Sequence, residues 1–145
     1  AKLTPNVANM SPAAEAALKG GADGIAAINT IKSITGVNLH TFVSEPSVHG
    51  KSALGGYSGA AVKPIALRMV WQVSKAVNIP VIGLGGIMNW KDAVEFLLAG
   101  ASAIQIGTAN FIDPAITVKV SEGINDYLDR HGFTSVKDII GGLIV

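Results

Sequence analysis

Cysteine is absent from the 145 residues of this chain, which excludes disulfides, zinc–thiolate sites and iron–sulfur ligation within the sequence. Charged residues make up only 14% of it, aromatic residues only 6%, and the formal net charge is +1. That balance gives no electrostatic reason to expect a nucleic-acid partner. The sequence also lacks an apolar run of roughly 20 residues, the length that spans a membrane. We therefore expect a cytoplasmic protein without a nucleic-acid or membrane partner.

Apolar residues and glycine are abundant instead, at 49% hydrophobic content and 17 glycines. This composition is typical of parallel strands that are buried on both faces and joined by tight loops. A closed eight-stranded β/α barrel needs roughly 250 residues. The length therefore predicts one domain, which is either a different α/β fold or part of such a barrel.

Short apolar runs that follow helical patterns predict a parallel sheet. The predicted strands are Ile25–Ile28, Val81–Leu84 and Ala103–Ile106, with Ala1–Thr4 as a further strand end. Gly21–Thr30 and Gly100–Thr108 share a helix stop, a short strand and a terminal threonine, a self-similarity that favours stacked βα units. Helices are predicted over residues 14–19 with Ser11 as cap, 62–77, 89–99, from Asp113-Pro114 to Gly132, and 134–140. We expect at most four parallel strands, with the missing ones supplied from elsewhere.

Two glycine-bearing strand ends, Gly83–Ile87 and Ile104–Thr108, are the strongest functional signal in the sequence. Each follows an apolar run and leads towards a helix, which is how consecutive βα units surround a phosphate with backbone N–H groups. The segment from Ser33 to Ala61 lacks a clear period, and a loop of that length is usually functional or mobile. Because it follows the strand that ends at Thr30, we expect it to lie over the same face.

Other residues have a plainer interpretation. His40, His49 and His131 are scattered without ligand spacing, so we expect no metal site. From residue type alone, a lysine such as Lys2 is usually a solvated surface residue. Asn29-Thr30 is equally readable as an ordinary strand-ending turn.

Five motifs, taken in order, resemble the FMN-dependent dihydroorotate and dihydropyrimidine dehydrogenase family. They are Ala1–Asn6, Ile28–Thr30, Gly55–Gly59 followed by Lys63–Leu67, Gly85-Gly86 and Gly107-Thr108. The resemblance covers nearly the whole chain. It implies that residues 1–145 are the C-terminal half of a (β/α)8 TIM barrel, about four βα units, with the N-terminal half absent.

The resemblance also implies which residues form the site. Those that bind FMN would be Lys2, Ile28, Gly59, Gly85, Gly86, Gly107 and Thr108. Lys2 would reach the flavin ring, and the glycines with Thr108 would hold the phosphate. Asn29 and Thr30 would hydrogen-bond the pyrimidine, because a side-chain amide can both donate and accept.

The implied reaction is hydride transfer between FMN and C6 of the pyrimidine, coupled to proton transfer at C5. In the resembled family the Cys or Ser acid/base lies in the N-terminal half. We therefore expect no catalytic acid/base here, and no turnover by these residues alone.

The choice of substrate depends on one insertion. Glu45–Lys51 resembles the bacterial NAD-dependent dihydropyrimidine dehydrogenase catalytic subunit, so the expected function is interconversion of a uracil- or thymine-type base with its 5,6-dihydro form. The alternative is a dihydroorotate dehydrogenase of pyrimidine biosynthesis. A second alternative is a non-catalytic half-barrel that binds a phosphate ligand.

Electron partners are implied by the resemblance alone. Iron–sulfur clusters and FAD or NAD would be held on other domains or subunits. For the clusters this agrees with the absence of cysteine from the chain. We expect an electron-transfer flavin/iron–sulfur subunit as partner, and an oligomer.

Overall fold

The computed structural model describes residues 1–145, which form short strands and five α-helices. The strands are β1 (Ile25–Ala27), β2 (Ile31–Ser33), β3 (Gly36–Val37), β4 (Ser44–Glu45), β5 (Ser47–Val48), β6 (Lys51–Ser52), β7 (Gly55–Tyr57), β8 (Val81–Gly83) and β9 (Ala103–Ile104). The helices are α1 (Ser11–Lys19), α2 (Lys63–Ala76), α3 (Trp90–Leu98), α4 (Ala109–Ile112) and α5 (Ile116–His131). Two 3₁₀ turns lie at Ala60–Val62 and Val136–Asp138.

The central sheet is parallel, in the order β1-β8-β9. Ile25 pairs with Val81 and Ile82 pairs with Ala103, while Lys2 forms a parallel bridge to Ala26 on the free side of β1. Four parallel segments with helices between them confirm the predicted α/β fold, and the arrangement is consistent with part of a β/α barrel. β1 and β8 are each one residue shorter than predicted and β9 is two residues shorter, while the predicted strand end Ala1–Thr4 forms only the bridge at Lys2.

The core lies between this sheet and α2 and α3. Phe96, Val70 and Val73 are completely buried, and Met69 is nearly so. Burial of such a side chain contributes roughly 1.5–3 kcal/mol. This packing fixes α2 and α3 against the sheet, and so fixes the loops at the strand ends.

Helix ends follow local capping chemistry. The Asn89 side chain caps α3 by accepting from the backbone N–H groups of Lys91 and Asp92. Ser11 was predicted to cap α1, but it is the first helical residue. Its N–H donates to Oδ1 of Asn9 at 3.0 Å. Gly132 ends α5 as predicted, with φ of 73°. No helix combines the length and apolar character needed to cross a membrane.

Residues 31–57, here called the excursion, form three antiparallel ladders and are not the aperiodic loop that the sequence predicts. β2 pairs with β7, β3 with β4, and β5 with β6. These strands have only two or three residues each, too few for an alternating pattern to show in the sequence. At the base of the excursion Gly56 packs under Thr30, since a Cβ on Gly56 would overlap the Thr30 side chain.

One helix contact depends on the absence of a side chain. Gly123 of α5 is buried against Trp90 of α3, and a Cβ there would lie 2.5 Å from Cβ of Trp90. In most helix interiors Gly→Ala stabilises by about 1 kcal/mol. Here the nearby indole ring of Trp90 should make the same substitution destabilising.

We expect Gly123→Ala to destabilise the intact protein by about 1–3 kcal/mol, because the new methyl group must displace Trp90. Urea unfolding followed by circular dichroism measures this change. Asn125→Ala, at an exposed position of the same helix, is the matched control and should be neutral or stabilising. A stabilising Gly123→Ala substitution would contradict the close contact.

Candidate functional site at the carboxyl ends of the parallel strands

A cleft opens at the carboxyl ends of β1, β8 and β9. Because parallel strands end on the same edge of a sheet, the loops that follow them meet there. The structure brings all the predicted site residues to the wall of this cleft: Lys2, Ile28, Asn29, Thr30, Gly59, Gly85, Gly86, Gly107 and Thr108. These residues lie together in the structure, and their roles in binding FMN and the pyrimidine remain predictions.

Backbone hydrogen bonds hold the residues after β1 between two neighbouring segments. The Ile28 N–H donates to the Leu84 carbonyl at 2.9 Å, and the Leu84 N–H donates to the Ala27 carbonyl at 2.7 Å. On the other side the Asn29 N–H donates to the Leu3 carbonyl at 2.9 Å. These bonds place Asn29 beside the Lys2 segment and opposite the glycine turn after β8.

Asn29 and Thr30 present polar side chains to the cleft and are exposed. Oδ1 of Asn29 accepts from the Thr30 N–H at 2.9 Å, which fixes the side-chain amide. The Nδ2 group makes no hydrogen bond within the chain, so it remains a donor for a ligand. The Thr30 side chain packs against Gly56.

The turn after β8 requires glycine at two consecutive positions. Gly85 and Gly86 have φ of 129° and 77°, where L side chains are strained. A Cβ on Gly85 would lie 2.7 Å from Cβ of Ala66, and a Cβ on Gly86 would lie 2.6 Å from the backbone nitrogen of Lys63. The turn is therefore packed closely against the beginning of α2.

Several backbone N–H groups on the cleft wall donate to no acceptor in the chain, among them those of Gly85, Gly86, Gly107 and Thr108. Unpartnered N–H groups in the turns after parallel strands are suited to binding an anion. The hydroxyl of Thr108 donates to Oγ of Ser58 at 2.7 Å, which joins the turn after β9 to the end of the excursion. This donor set and the side-chain-free turn fit the phosphate of FMN.

Sequence reasoning missed several cleft residues, including Tyr57, Ser58 and Gln105. A signal existed for Gln105, which is a polar residue between Ile104 and Ile106 at the end of an apolar run. Ser58 stands next to Gly59 in a motif already associated with the flavin. Neither signal could show that Ser58 reaches Thr108, 50 residues away.

A charged cluster behind the cleft was also missed. Nζ of Lys63 lies 2.6 Å from Oδ1 of Asp92 and 2.9 Å from Oε2 of Glu95. These two carboxylates raise the pKa of Lys63 above its ordinary value through their hydrogen bonds. Asp92 itself is only 8% exposed, and its Oδ2 accepts from the Met88 N–H at 2.9 Å.

The fold and this cleft define an α/β protein with a cleft at the carboxyl edge of its parallel sheet, and comparison with known proteins identifies the family. The family model described as dihydroorotate dehydrogenase matches residues 1–128. The chain therefore belongs to the dihydroorotate dehydrogenase family, whose members are flavin-dependent dehydrogenases.

Curated relatives agree with the family model. The chain is 68% identical over 144 residues to the dihydroorotate dehydrogenase B (NAD(+)), catalytic subunit, of Phocaeicola vulgatus; the match covers 99% of this chain and 46% of that protein. It is 65% identical over 144 residues to the protein of the same name from Bacteroides thetaiotaomicron, with the same coverage. For that of Alkaliphilus metalliredigens the identity is 50% over 142 residues, 98% of this chain and 45% of that protein. The chain spans about half the length of the curated relatives it matches.

The expectation of a dihydropyrimidine dehydrogenase is wrong. The relatives and the family model are dihydroorotate dehydrogenases, which supports the stated alternative. The insertion Glu45–Lys51 misled the prediction. In the structure it contributes to the surface ladders of the excursion and does not line the cleft.

The two glycine turns allow a paired test. Gly86→Ala should destabilise the intact protein by at least about 2 kcal/mol, because alanine is strained at positive φ and its methyl group would overlap Lys63. Gly107→Ala is the matched control: no atom lies within 4 Å of its Cβ position, so its stability should change by less than about 0.5 kcal/mol. Denaturant unfolding without added flavin measures both. Equal effects of the two substitutions would contradict the packing described here.

Proposed function

We propose that this chain is part of an FMN-dependent dihydroorotate dehydrogenase that oxidises dihydroorotate to orotate in pyrimidine biosynthesis. The observation that carries the proposal is the meeting, in one cleft, of Lys2, the Asn29-Thr30 pair and the two glycine turns. A phosphate-binding module needs only the glycine turns. The names of the relatives, at up to 68% identity, support the same activity.

In this proposal the glycine turns hold the cofactor by its phosphate. The unpartnered N–H groups of Gly85, Gly86, Gly107 and Thr108 donate to the anion, and backbone at Ile28 and Gly59 lies along the cofactor. When bound, FMN supplies the acceptor for a hydride. The ammonium of Lys2, on the same wall, stabilises negative charge on the ring.

Asn29 and Thr30 are the proposed contacts to the pyrimidine. The ring of dihydroorotate carries both N–H donors and carbonyl acceptors. The Nδ2 donor of Asn29 and the hydroxyl of Thr30 can pair with a carbonyl and with an N–H group, respectively. Because the Asn29 amide is fixed by its bond to the Thr30 N–H, binding would require little reordering of that side chain.

Oxidation of dihydroorotate removes a hydride from C6 and a proton from C5, and it forms the C5–C6 double bond of orotate. The proton needs a general base within hydrogen-bonding reach. We propose that this base is on the other half of the barrel, and that residues 1–145 are the C-terminal half. The chain by itself would then bind FMN weakly and turn over no substrate.

The electrons that leave dihydroorotate need an acceptor beyond FMN. The relatives are named catalytic subunits of an NAD(+)-linked dehydrogenase, so we propose NAD⁺ as the final acceptor in a cytoplasmic oligomer. A partner subunit with FAD and an iron–sulfur cluster would connect the two sites. Such a cluster must be held outside this chain, which has no cysteine.

The proposal predicts a specific defect for Lys2→Ala. Reduction of bound FMN by dihydroorotate, followed anaerobically by loss of flavin absorbance in the intact protein, should slow roughly 100-fold. Binding of FMN should persist, because the phosphate contacts come from other residues. Lys19→Ala, at the exposed end of α1, is the matched control and should reduce normally.

An unchanged rate in Lys2→Ala would remove Lys2 from the reaction. Failure of the unmodified intact protein to be reduced by dihydroorotate would contradict the proposed function itself. Binding of FMN without any reduction would favour the phosphate-binding alternative.

A further inference from the structure

The cluster of Lys63, Asp92 and Glu95 lies directly behind the Gly85-Gly86 turn, although none of the three lines the cleft. A lysine near a phosphate turn invites the interpretation of a phosphate ligand. The geometry is different: the Lys63 ammonium donates to Asp92 at 2.6 Å and forms an ion pair with Glu95 at 2.9 Å. Its charge is therefore already balanced within the protein.

Lys63 also contacts the turn through its backbone. It is the first residue of α2, and a Cβ on Gly86 would lie 2.6 Å from its nitrogen and 2.8 Å from its Cβ. The Cα of Gly86 is thus packed on the first residue of the helix. A shift of Lys63 by a fraction of an ångström would move Gly86 or open a gap beside it.

Asp92 connects the other side of the same loop. Its Oδ1 accepts from Nζ of Lys63, and its Oδ2 accepts from the Met88 N–H at 2.9 Å. Asp92 is 8% exposed and stands in the first turn of α3, which Asn89 caps. The packing of Gly86 on Lys63, the ion pair of Lys63 with Asp92 and the hydrogen bond from Met88 to Asp92 therefore hold both sides of the loop between β8 and α3.

We propose that the Lys63–Asp92 ion pair positions the phosphate turn, and that it sets the affinity for the phosphate of the cofactor without contacting it. The inference rests on the proposed FMN site. The pair is partly buried, so removal of Lys63 leaves the Asp92 carboxylate without its counter-charge, while removal of the Asp92 charge leaves Lys63 paired only with the more exposed Glu95. The expected consequence is a displaced loop, in which the Gly85 and Gly86 N–H groups no longer hold the positions that bind the phosphate.

The test compares FMN with riboflavin, which has the same ring but no phosphate. Dissociation constants are measured by flavin fluorescence quenching with the intact protein. Lys63→Met and Asp92→Asn should each weaken FMN roughly tenfold, while the affinity for riboflavin changes by less than about twofold. Lys63→Arg should restore most of the FMN affinity, since arginine can pair with the same carboxylates.

Glu95→Gln is the matched control. The Glu95 side chain is 44% exposed and contacts Lys63 without tying any other part of the loop, so FMN affinity should change by less than about threefold. If Lys63→Met does not fold, the comparison of Asp92→Asn with Glu95→Gln decides the question. Asparagine keeps an acceptor for the Met88 N–H, so the fold should survive.

Two results would overturn the positioning role. The first is an equal loss of FMN and riboflavin affinity in Asp92→Asn, which would indicate general damage to packing. The second is unchanged FMN affinity in both Lys63→Met and Asp92→Asn. An unmodified protein that binds FMN no better than riboflavin would instead contradict the phosphate site of the proposed function.

Discussion

The parallel pairing of β1 with β8 is the interaction on which the rest of the site depends. The ladder continues past the last paired residues through the reciprocal bonds between the Leu84 N–H and the Ala27 carbonyl, and between the Ile28 N–H and the Leu84 carbonyl. Those bonds fix where each chain segment leaves the sheet. Asn29 is thereby brought next to the turn at Gly85, and the buried residues of α2 and α3 hold that register from outside.

Close packing at this edge limits which residues can occupy the turn. Gly85 and Gly86 are pressed against Ala66 and Lys63, so the side that faces away from the cleft is filled by protein. The cleft side presents backbone N–H groups, the Lys2 segment and polar side chains such as Asn29 and Thr108, beside apolar residues. Backbone donors beside apolar side chains are what the proposed FMN site requires. Membership of the dihydroorotate dehydrogenase family agrees with that chemistry.

Much of this could be predicted from local sequence. The apolar runs before Gly83 and Gly107 identified strand ends. Gly132 predicted a helix end because glycine readily adopts the left-handed conformation, which it has in the structure. The excursion could not be predicted, because two-residue strands such as Gly36–Val37 have no readable period. The Lys63–Asp92 pair joins residues 29 positions apart, and its existence depends on how α2 and α3 pack. The wrong substrate arose from Glu45–Lys51, whose length reflects surface ladders and not the pocket.

A crystal structure of the intact protein with FMN tests the central claim most directly. We expect the phosphate to lie within hydrogen-bonding distance of the N–H groups of Gly85, Gly86, Gly107 and Thr108, with the ring extending towards Lys2 and Asn29. A phosphate bound elsewhere, with these N–H groups facing solvent, would contradict it. So would a flavin ring that lies away from Lys2, because the cleft would then hold phosphate without presenting the ring to the substrate residues.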